Sequence, residues 1–375
     1  MQSKGKRKIM RLTVLRCETV GPRPARAILV LLAIAVGLGA YCGRRPNVTG
    51  NTKDVKKSDV YMHQTVVARV HAGEGYYHAL GNELARGGYA LRPFFHWRLP
   101  TLLWSLGQLP HPRIGQALLA ALTAVMIGAW LAWLKPRLGF PIACVAALLL
   151  GPPTLGLSLL GLWYFQHELW AGVLIALSLG IYRRSTAAAV VCGLAALAIR
   201  ELALLYVVIM LAFAIREKRV KEALAWTMGI IAFAAFLAIH ATIVSKHLVA
   251  SDPSDPSWLR VAGWPHTVAC ANWMFLALPP YWVAGATLVL ALFGAACSGE
   301  TRLATVVILY CAAFAVVGKP FNDYWGLVYS PLLAVGLALG IRAVVDLVIR
   351  AKAATRQDNG MTGGPRISTG SQSED

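Results

Sequence analysis

Apolar runs recur along this chain from Ala27 almost to the C-terminus, and they constrain its fold more than any other feature. Each run is close to the ~20 residues that an α-helix needs to cross the ~30 Å hydrocarbon core of a bilayer. Only 14% of the 375 residues are charged, against ~25% in a soluble domain. The runs are continuous rather than alternating, so they favour helices over the strands of a membrane barrel. We expect an all-α, polytopic integral membrane protein that forms one unit.

Ten membrane spans are predicted from these runs. They cover residues 27–43, 114–134, 140–163, 166–182, 186–200, 201–215, 223–245, 279–297, 303–318 and 326–349. The fifth and sixth are short, and Arg200 and Glu201 lie between them. A re-entrant hairpin over residues 186–215 is therefore an alternative to two crossings.

The basic residues predict which side of the membrane each connecting segment occupies. Of the 36 Lys and Arg residues, 22 fall in one set of alternating segments and 14 in the other. Ten of those 14 lie in the first loop, residues 44–113, which is longer than the ~60 residues over which the positive-inside rule holds. Without this loop, 22 Lys and Arg residues lie in one set of segments and 4 in the other. Both termini are predicted to be cytoplasmic, in a bacterial inner membrane, with the first span an uncleaved anchor.

Three regions follow from this topology. Residues 1–26 form a basic cytoplasmic segment, and residues 27–349 form the membrane domain with the outer loop 44–113. Residues 350–375 are predicted to be a disordered cytoplasmic tail, because Gly, Ser and Thr dominate it. The net charge of +19 is spread between apolar runs, which suits anionic lipid surfaces and excludes a clustered nucleic-acid site. The seven cysteines form no CxxC or zinc-ligand spacing.

The outer loop contains most of the residues capable of chemistry. The segment Gly73-Glu-Gly-Tyr-Tyr-His78 opens a predicted amphipathic helix that ends at Arg86 before two glycines. Glu74 and His78 are four residues apart and share a face, whereas Glu83 is about half a turn away from Glu74. The apolar stripe of this predicted helix, which suits the bilayer surface, consists of Tyr77, Leu80 and Leu84. Glu74 is the candidate catalytic base, with a surface acid or a re-entry helix as the alternative.

Other outer segments supply candidate partners for Glu74. Arg92 and Arg98 lie among aromatic residues, and the planar guanidinium of arginine suits phosphate. Ionisable residues beside apolar runs cost free energy unless paired, so they are functional candidates. These candidates are His167, Glu168, Arg200 and Glu201. Lys319, Asn322 and Tyr324 are candidates for binding phosphate or sugar hydroxyls. The alternatives are a hairpin cap, an internal ion pair or an aromatic belt.

The chain resembles the GT-C superfamily of polytopic glycosyltransferases, which use polyprenyl-phosphate sugars. The resemblance is architectural over residues 27–349, and it is carried by Gly73-Glu-Gly-Tyr-Tyr-His78, Arg92-Pro-Phe-Phe-His-Trp-Arg-Leu-Pro100, Arg200-Glu201 and Tyr324-Trp-Gly326. It implies an acidic residue just after the first span, usually Asp, which orients or deprotonates the acceptor.

The resemblance places that acid at Glu74, with His78 beside it and a second acid at Glu168. It also implies that basic residues near the outer surface, here Arg92, Arg98, Arg200 or Lys319, hold the lipid phosphate. Some such families use a divalent metal, but one glutamate with scattered histidines makes no convincing site. We therefore expect no metal cofactor.

The expected function is transfer of a sugar, or a related group, from a lipid-phosphate donor to an acceptor at the outer face. A transporter or flippase is the first alternative, although no internal repeat is found. A non-catalytic membrane protein of the same architecture is the second. The sequence contains no Walker loop, GxSxG, HExxH or EF-hand pattern, so soluble-type nucleotide binding and zinc hydrolysis lack support.

Overall fold

The computed structural model describes residues 19–43, 59–254 and 261–361. An isolated β-bridge joins Arg92 and Ser254. The α-helices are α1 Pro22–Cys42, α2 Asp59–His71, α3 Tyr76–Arg86, α4 Pro100–Gly107, α5 Pro112–Leu159, α6 His167–Ile181, α7 Thr186–Ile199, α8 Leu204–Arg216, α9 Val220–Ser245, α10 Gly263–Asn272, α11 Tyr281–Cys297, α12 Thr301–Val316 and α13 Ser330–Met361. Short 3₁₀ segments are Phe94–His96, Trp163–Phe165, Glu201–Ala203, Trp273–Phe275 and Pro320–Val328.

Four of the described helices are long and apolar enough to cross a membrane, namely α1, α5, α9 and α13. Four more are apolar but shorter, namely α6, α7, α11 and α12. The chain is therefore an all-α protein whose helices are compatible with a multi-pass membrane protein. The number of crossings stays a prediction, as does the side on which the termini lie.

The 48-residue helix α5 contains the second predicted span and the third up to Leu159. Gly139 interrupts it with φ 77° and ψ 169°, a backbone conformation that is essentially restricted to glycine. Both halves retain helical geometry on either side of this residue. The interruption lies beside Lys135 and Arg137, where the sequence predicts a connection between two spans.

Glycines bring three of the apolar helices into backbone contact. A Cβ atom added to Gly294 of α11 would lie 2.1 Å from the Gly336 carbonyl oxygen and the Gly340 nitrogen of α13. A Cβ atom on Gly285 would lie 2.2 Å from the Gly39 oxygen of α1. Small residues of this kind allow close helix packing where no hydrophobic force drives association. They join α1, α11 and α13.

The outer loop is a small helical unit rather than one helix lying on the bilayer. α3 begins at Tyr76, after Gly75, instead of at Gly73. Leu80 and Leu84 are buried inside the protein, because α2 and α4 pack against α3. The prediction that this apolar stripe faces the membrane surface is therefore wrong. Periodicity located the apolar face correctly but could not show what covers it.

The last helix is longer than the sequence predicts. α13 continues to Met361, so the chain is helical over residues 350–361 rather than disordered from residue 350. The sequence there contains Ala, Arg, Lys and Gln, which are strong helix formers. Predictions about residues 1–18 and 362–375 lie outside the described residues, as does the first part of the outer loop.

Candidate active site

A cluster of polar side chains is formed where the outer loop meets the ends of several helices. We call it the polar cluster. Its members are Asp59, His63, Tyr89, Arg98, Gln166, His167, Glu168, Arg200, Glu201 and Tyr324. They come from α2, the segment before α4, the start of α6, the turn between α7 and α8, and the 3₁₀ segment Pro320–Val328. The fold therefore unites residues that are up to 265 positions apart.

Asp59 is held by two tyrosine hydroxyls. Tyr89 donates to its Oδ1 and Tyr324 donates to its Oδ2, both at 2.8 Å. Arg98 donates to the Tyr324 hydroxyl at 3.1 Å. Burial raises the pKa of Asp59, but Arg98, His63 and the two tyrosine hydrogen bonds outweigh it, so the pKa lies below its usual value of 3.8. Asp59 is therefore ionised at neutral pH.

Arg200 and Glu168 form the most deeply buried ion pair of the cluster. The Arg200 Nε lies 2.7 Å from Glu168 Oε1, and the two side chains are 1% and 0% exposed. A second ion pair joins Arg200 to Glu201, and the guanidinium lies 5.7 Å from the centre of the Trp325 ring. A buried charge is tolerated only when it is paired. Glu168 and Glu201 therefore fix the position of Arg200.

His63 and His167 lie side by side, with ring centres 5.1 Å apart and planes at 70°. Among the described residues, neither ring makes a hydrogen bond of normal geometry through either nitrogen, and the same holds for Gln166 Oε1. Burial lowers the pKa of His63 to about 4, aided by Arg98 and Arg200 and opposed by Asp59. A neutral imidazole offers one donor and one acceptor. Buried polar groups without a well-formed hydrogen bond are uncommon in folded proteins, which marks His63 and His167 as candidates for a functional role.

The predicted pair Glu74 and His78 lies in a different place, on the surface of the outer loop. His78 Nδ1 is 2.5 Å from Glu74 Oε1, which confirms the predicted shared face. Arg69 of α2 bridges Glu74 and Glu83 at 2.5 and 2.6 Å. The sequence predicts that these two carboxylates lie on different faces of one helix. Glu74 lies before α3 begins, and Arg69 of α2 binds both carboxylates. The Arg69 hydrogen bond, assisted by His78 and opposed by burial, lowers the pKa of Glu74.

Three further predicted residues lie at the edges of the site. The backbone N–H of Arg92 donates to the Pro253 carbonyl at 3.2 Å, and its buried Nε has no hydrogen-bond partner among the residues the structure describes. Asn322 is buried, and its Oδ1 accepts from the Lys319 backbone N–H at 3.0 Å. Asn322 and Lys319 therefore shape the turn that carries Tyr324.

The structure thus unites six of the predicted residues, namely Arg98, His167, Glu168, Arg200, Glu201 and Tyr324. Sequence reasoning missed Asp59, His63, Tyr89 and Gln166. Asp59 and His63 had one detectable signal, an acid and a histidine four residues apart in the loop after the first span.

The polar cluster contains three carboxylates and two guanidiniums, so its electrostatics are mixed rather than strongly basic. Within the described ranges, no three His, Cys, Asp or Glu side chains are grouped to hold a metal ion. Comparison with known proteins adds no assignment, since no family model, curated protein or solved structure matches the chain.

Proposed function

We propose that the chain is a membrane-embedded glycosyltransferase, or a transferase of a related group, that uses a lipid-phosphate donor at the outer face. One observation carries the proposal. An ionised carboxylate, Asp59, is held by Tyr89 and Tyr324 in the loop after α1, beside Arg98 and the buried Arg200 pair. This combines a proton acceptor with cationic groups in one place, as group transfer from a phosphate requires.

Asp59 is the residue we propose as the catalytic base. The resemblance to the GT-C superfamily implies an acid soon after the first span, usually Asp. Asp59 fits this better than Glu74, because it is an aspartate, lies closer to the end of α1 and belongs to the polar cluster. Glu74 is instead engaged by Arg69. This proposal replaces Glu74 and His78 as the catalytic pair.

In the proposed step, one bond to the anomeric carbon of the sugar forms and another breaks. The acceptor hydroxyl oxygen attacks the anomeric carbon, and its proton passes to Asp59. The bond from that carbon to the phosphate oxygen breaks, and its electron pair leaves with the lipid phosphate. Arg98, which donates to the Tyr324 hydroxyl, stabilises the phosphate charge. Glu168 is a positioning residue, because its Oε1 is paired with Arg200.

The sugar hydroxyls are assigned to the buried histidine side of the cluster. His63, Gln166 and His167 present buried polar atoms that make no hydrogen bond of normal geometry among the described residues. A site built to hydrogen-bond hydroxyls discriminates strongly against ligands that lack them. Arg92 lies close in sequence to Arg98 and adds a second cation for the donor phosphate.

The test compares two carboxylate-to-amide variants in membranes that contain the full chain. Polyprenyl-phosphate mannose, glucose and arabinose are supplied, and release of polyprenyl phosphate is measured by mass spectrometry. Asp59→Asn should lower release from the accepted donor at least about a hundredfold, the scale of a lost general base. Glu74→Gln, the matched control, should retain most of the activity.

Two outcomes would overturn the proposal. Equal activity of Asp59→Asn and wild type would remove Asp59 as the base, and a selective loss in Glu74→Gln would return that role to the surface network. Movement of all three intact donors across sealed vesicles by the wild-type protein, without release of polyprenyl phosphate, would favour the transporter alternative.

A further inference from the structure

A cavity of about 460 Å³ lies at the opposite end of the helices from the polar cluster. Helix α6 begins in the polar cluster at His167 and ends at Ile181, which separates the two sites by roughly 20 Å. The cavity walls come from α5 before its interruption, the turn after α6, the turn between α11 and α12, and α13. Its volume falls within the range of ligand sites, about 300–1,000 Å³.

The charges that line this cavity leave one positive charge uncompensated. Arg183 pairs with Glu300 at 2.6 Å, and Arg342 pairs with Asp346 at 2.9 Å. No described carboxylate lies within ion-pair distance of the third guanidinium, Arg137. Three guanidiniums and two carboxylates therefore face the same space.

Arg137 is fixed in position by a tryptophan. Its Nη1 donates to the Trp133 carbonyl at 2.7 Å, and its guanidinium lies 4.2 Å from the centre of the Trp133 ring. Stacking on an aromatic face immobilises the guanidinium at little cost. The contact leaves four of its five N–H donors for a ligand.

A smaller cavity of about 50 Å³ shares Trp133, Arg183 and Glu300 with the first and reaches Arg302. The Nε of Arg302 is buried and has no hydrogen-bond partner in the described part of the chain. Its Nη2 donates to the Tyr182 hydroxyl and to Glu217. Arg302 thus lines a space that shares residues with the first cavity.

We propose that this cavity binds the headgroup of an anionic phospholipid through its phosphodiester. A phosphodiester carries one negative charge, which matches the single surplus cation, and the planar fork of Arg137 suits phosphate oxygens. Leu138, Leu339 and Ala343 line the same cavity and offer apolar contact to the lipid beyond its phosphate. A tryptophan at headgroup depth is typical of membrane proteins. The proposal is independent of the transferase activity.

The position agrees with the charge distribution along the sequence. The lining segments at residues 135–137, 183–184 and 342–350 are among those that the positive-inside count assigns to the cytoplasmic side. Cytoplasmic leaflets carry anionic lipids, which attract such basic segments. A lipid site here is therefore reached from the leaflet opposite the polar cluster.

Native mass spectrometry of the detergent-purified full chain tests the proposal. Phosphatidylglycerol, phosphatidylethanolamine and inorganic phosphate are titrated separately, and the fraction of lipid-bound protein is measured. Wild type should retain phosphatidylglycerol in preference to phosphatidylethanolamine. Arg137→Ala should weaken phosphatidylglycerol binding about tenfold, the loss expected for one charge-assisted contact, and Arg137→Lys should recover part of it.

Arg216→Ala is the matched control. Arg216 lies at the same end of the helices, stacks over Phe213 at 5.5 Å and does not line the cavity. Its variant should bind phosphatidylglycerol like wild type. Equal retention of the two lipids, or equal losses in Arg137→Ala and Arg216→Ala, would overturn the proposal. Displacement of phosphatidylglycerol by equimolar inorganic phosphate would show a free-phosphate site and would also overturn it.

Discussion

At the scale of single residues, two charged groups of the polar cluster differ in their partners among the described residues: Arg200 is ion-paired, whereas Asp59 is not. Arg200 is enclosed by Glu168 and Glu201 and lies against Trp325. Asp59 instead receives hydrogen bonds from two neutral hydroxyls, so its negative charge is stabilised but not neutralised by an ion pair. This contrast is the reason we assign proton transfer to Asp59 and positioning to Glu168.

Removing Arg200 alone should destabilise the protein far more than removing Arg200 and Glu168 together. Arg200→Gln leaves Glu168 buried without its cation, so we expect a loss of about 3–5 kcal/mol and a marked fall in melting temperature. Glu168→Gln with Arg200→Gln removes both charges and should recover part of that loss. Thermal unfolding of the purified variants in detergent measures this. If the double variant were less stable than Arg200→Gln alone, the two residues would not act as a buried pair.

The lowered pKa of His63 predicts how the stability of the protein depends on pH. This pKa is about 4 in the folded protein, against the ordinary value of 6.5, so between these values the unfolded chain binds a proton that the folded chain does not. Stability therefore falls as the pH drops through 6.5 towards 4. Between pH 7 and pH 5 we expect a loss of about 2 kcal/mol from this group.

Melting curves of His63→Gln and wild type at pH 7 and pH 5 check this expectation. The variant should lose less stability on acidification, because its side chain does not titrate. Identical pH dependence in the two proteins would contradict a buried, neutral His63.

At the scale of elements, hydrophobic runs located helices well. The predicted span 223–245 coincides with α9 Val220–Ser245, and 279–297 coincides with α11 Tyr281–Cys297, because burial in lipid imposes a length on each run. The Glu74–His78 contact was also predictable, since residues four apart on a helix are neighbours. Both properties depend on short stretches of sequence.

Contacts between elements were not predictable in the same way. Asp59 receives a hydrogen bond from Tyr324, which lies 265 residues away, and Arg69 reaches Glu83 from a different helix. Periodicity within one helix carries no information about either partner. Glu74 therefore stood out in the sequence because its neighbours were local, whereas Asp59 became a candidate only after the fold placed its partners around it.

The contact between α11 and α13 gives an element-scale prediction. Gly294→Ala places a methyl group 2.1 Å from backbone atoms of α13, so the helices must move apart. We expect a loss of about 1–3 kcal/mol from overpacking and a lower melting temperature. Gly128→Ala on α5 is the control, since no atom lies within 4 Å of its added Cβ. Equal melting temperatures of the two variants would show that α11 and α13 do not depend on this approach.

At the scale of the whole molecule, the two proposed sites lie at opposite ends of the same helices. The polar cluster contains the N-terminal ends of α2 and α6, and the cavity contains the turn after α6. If the helices span a bilayer, the two sites serve opposite leaflets. The chemistry of a lipid-linked donor and the binding of an anionic lipid are then separated by the membrane itself.

The orientation of this arrangement can be measured directly. Without the long first loop, the charge count is 22 against 4, and basic segments remain on the cytoplasmic side during insertion. Ala72, next to α2, is therefore expected outside the cell, and Arg184, in the turn after α6, inside it. Both positions are exposed to solvent. Ala72→Cys and Arg184→Cys are made in a chain whose seven cysteines are replaced by serine.

A membrane-impermeant maleimide should label Ala72→Cys in intact cells and Arg184→Cys only after the membrane is permeabilised. The reverse pattern would place the polar cluster in the cytoplasm, where the acceptor and donor of the proposed reaction would have to be cytoplasmic too. Labelling of both in intact cells would place α6 within one side of the membrane and would contradict a crossing by that helix. Only the first pattern is compatible with Asp59 acting on an outer-leaflet donor while Arg137 binds a lipid of the inner leaflet.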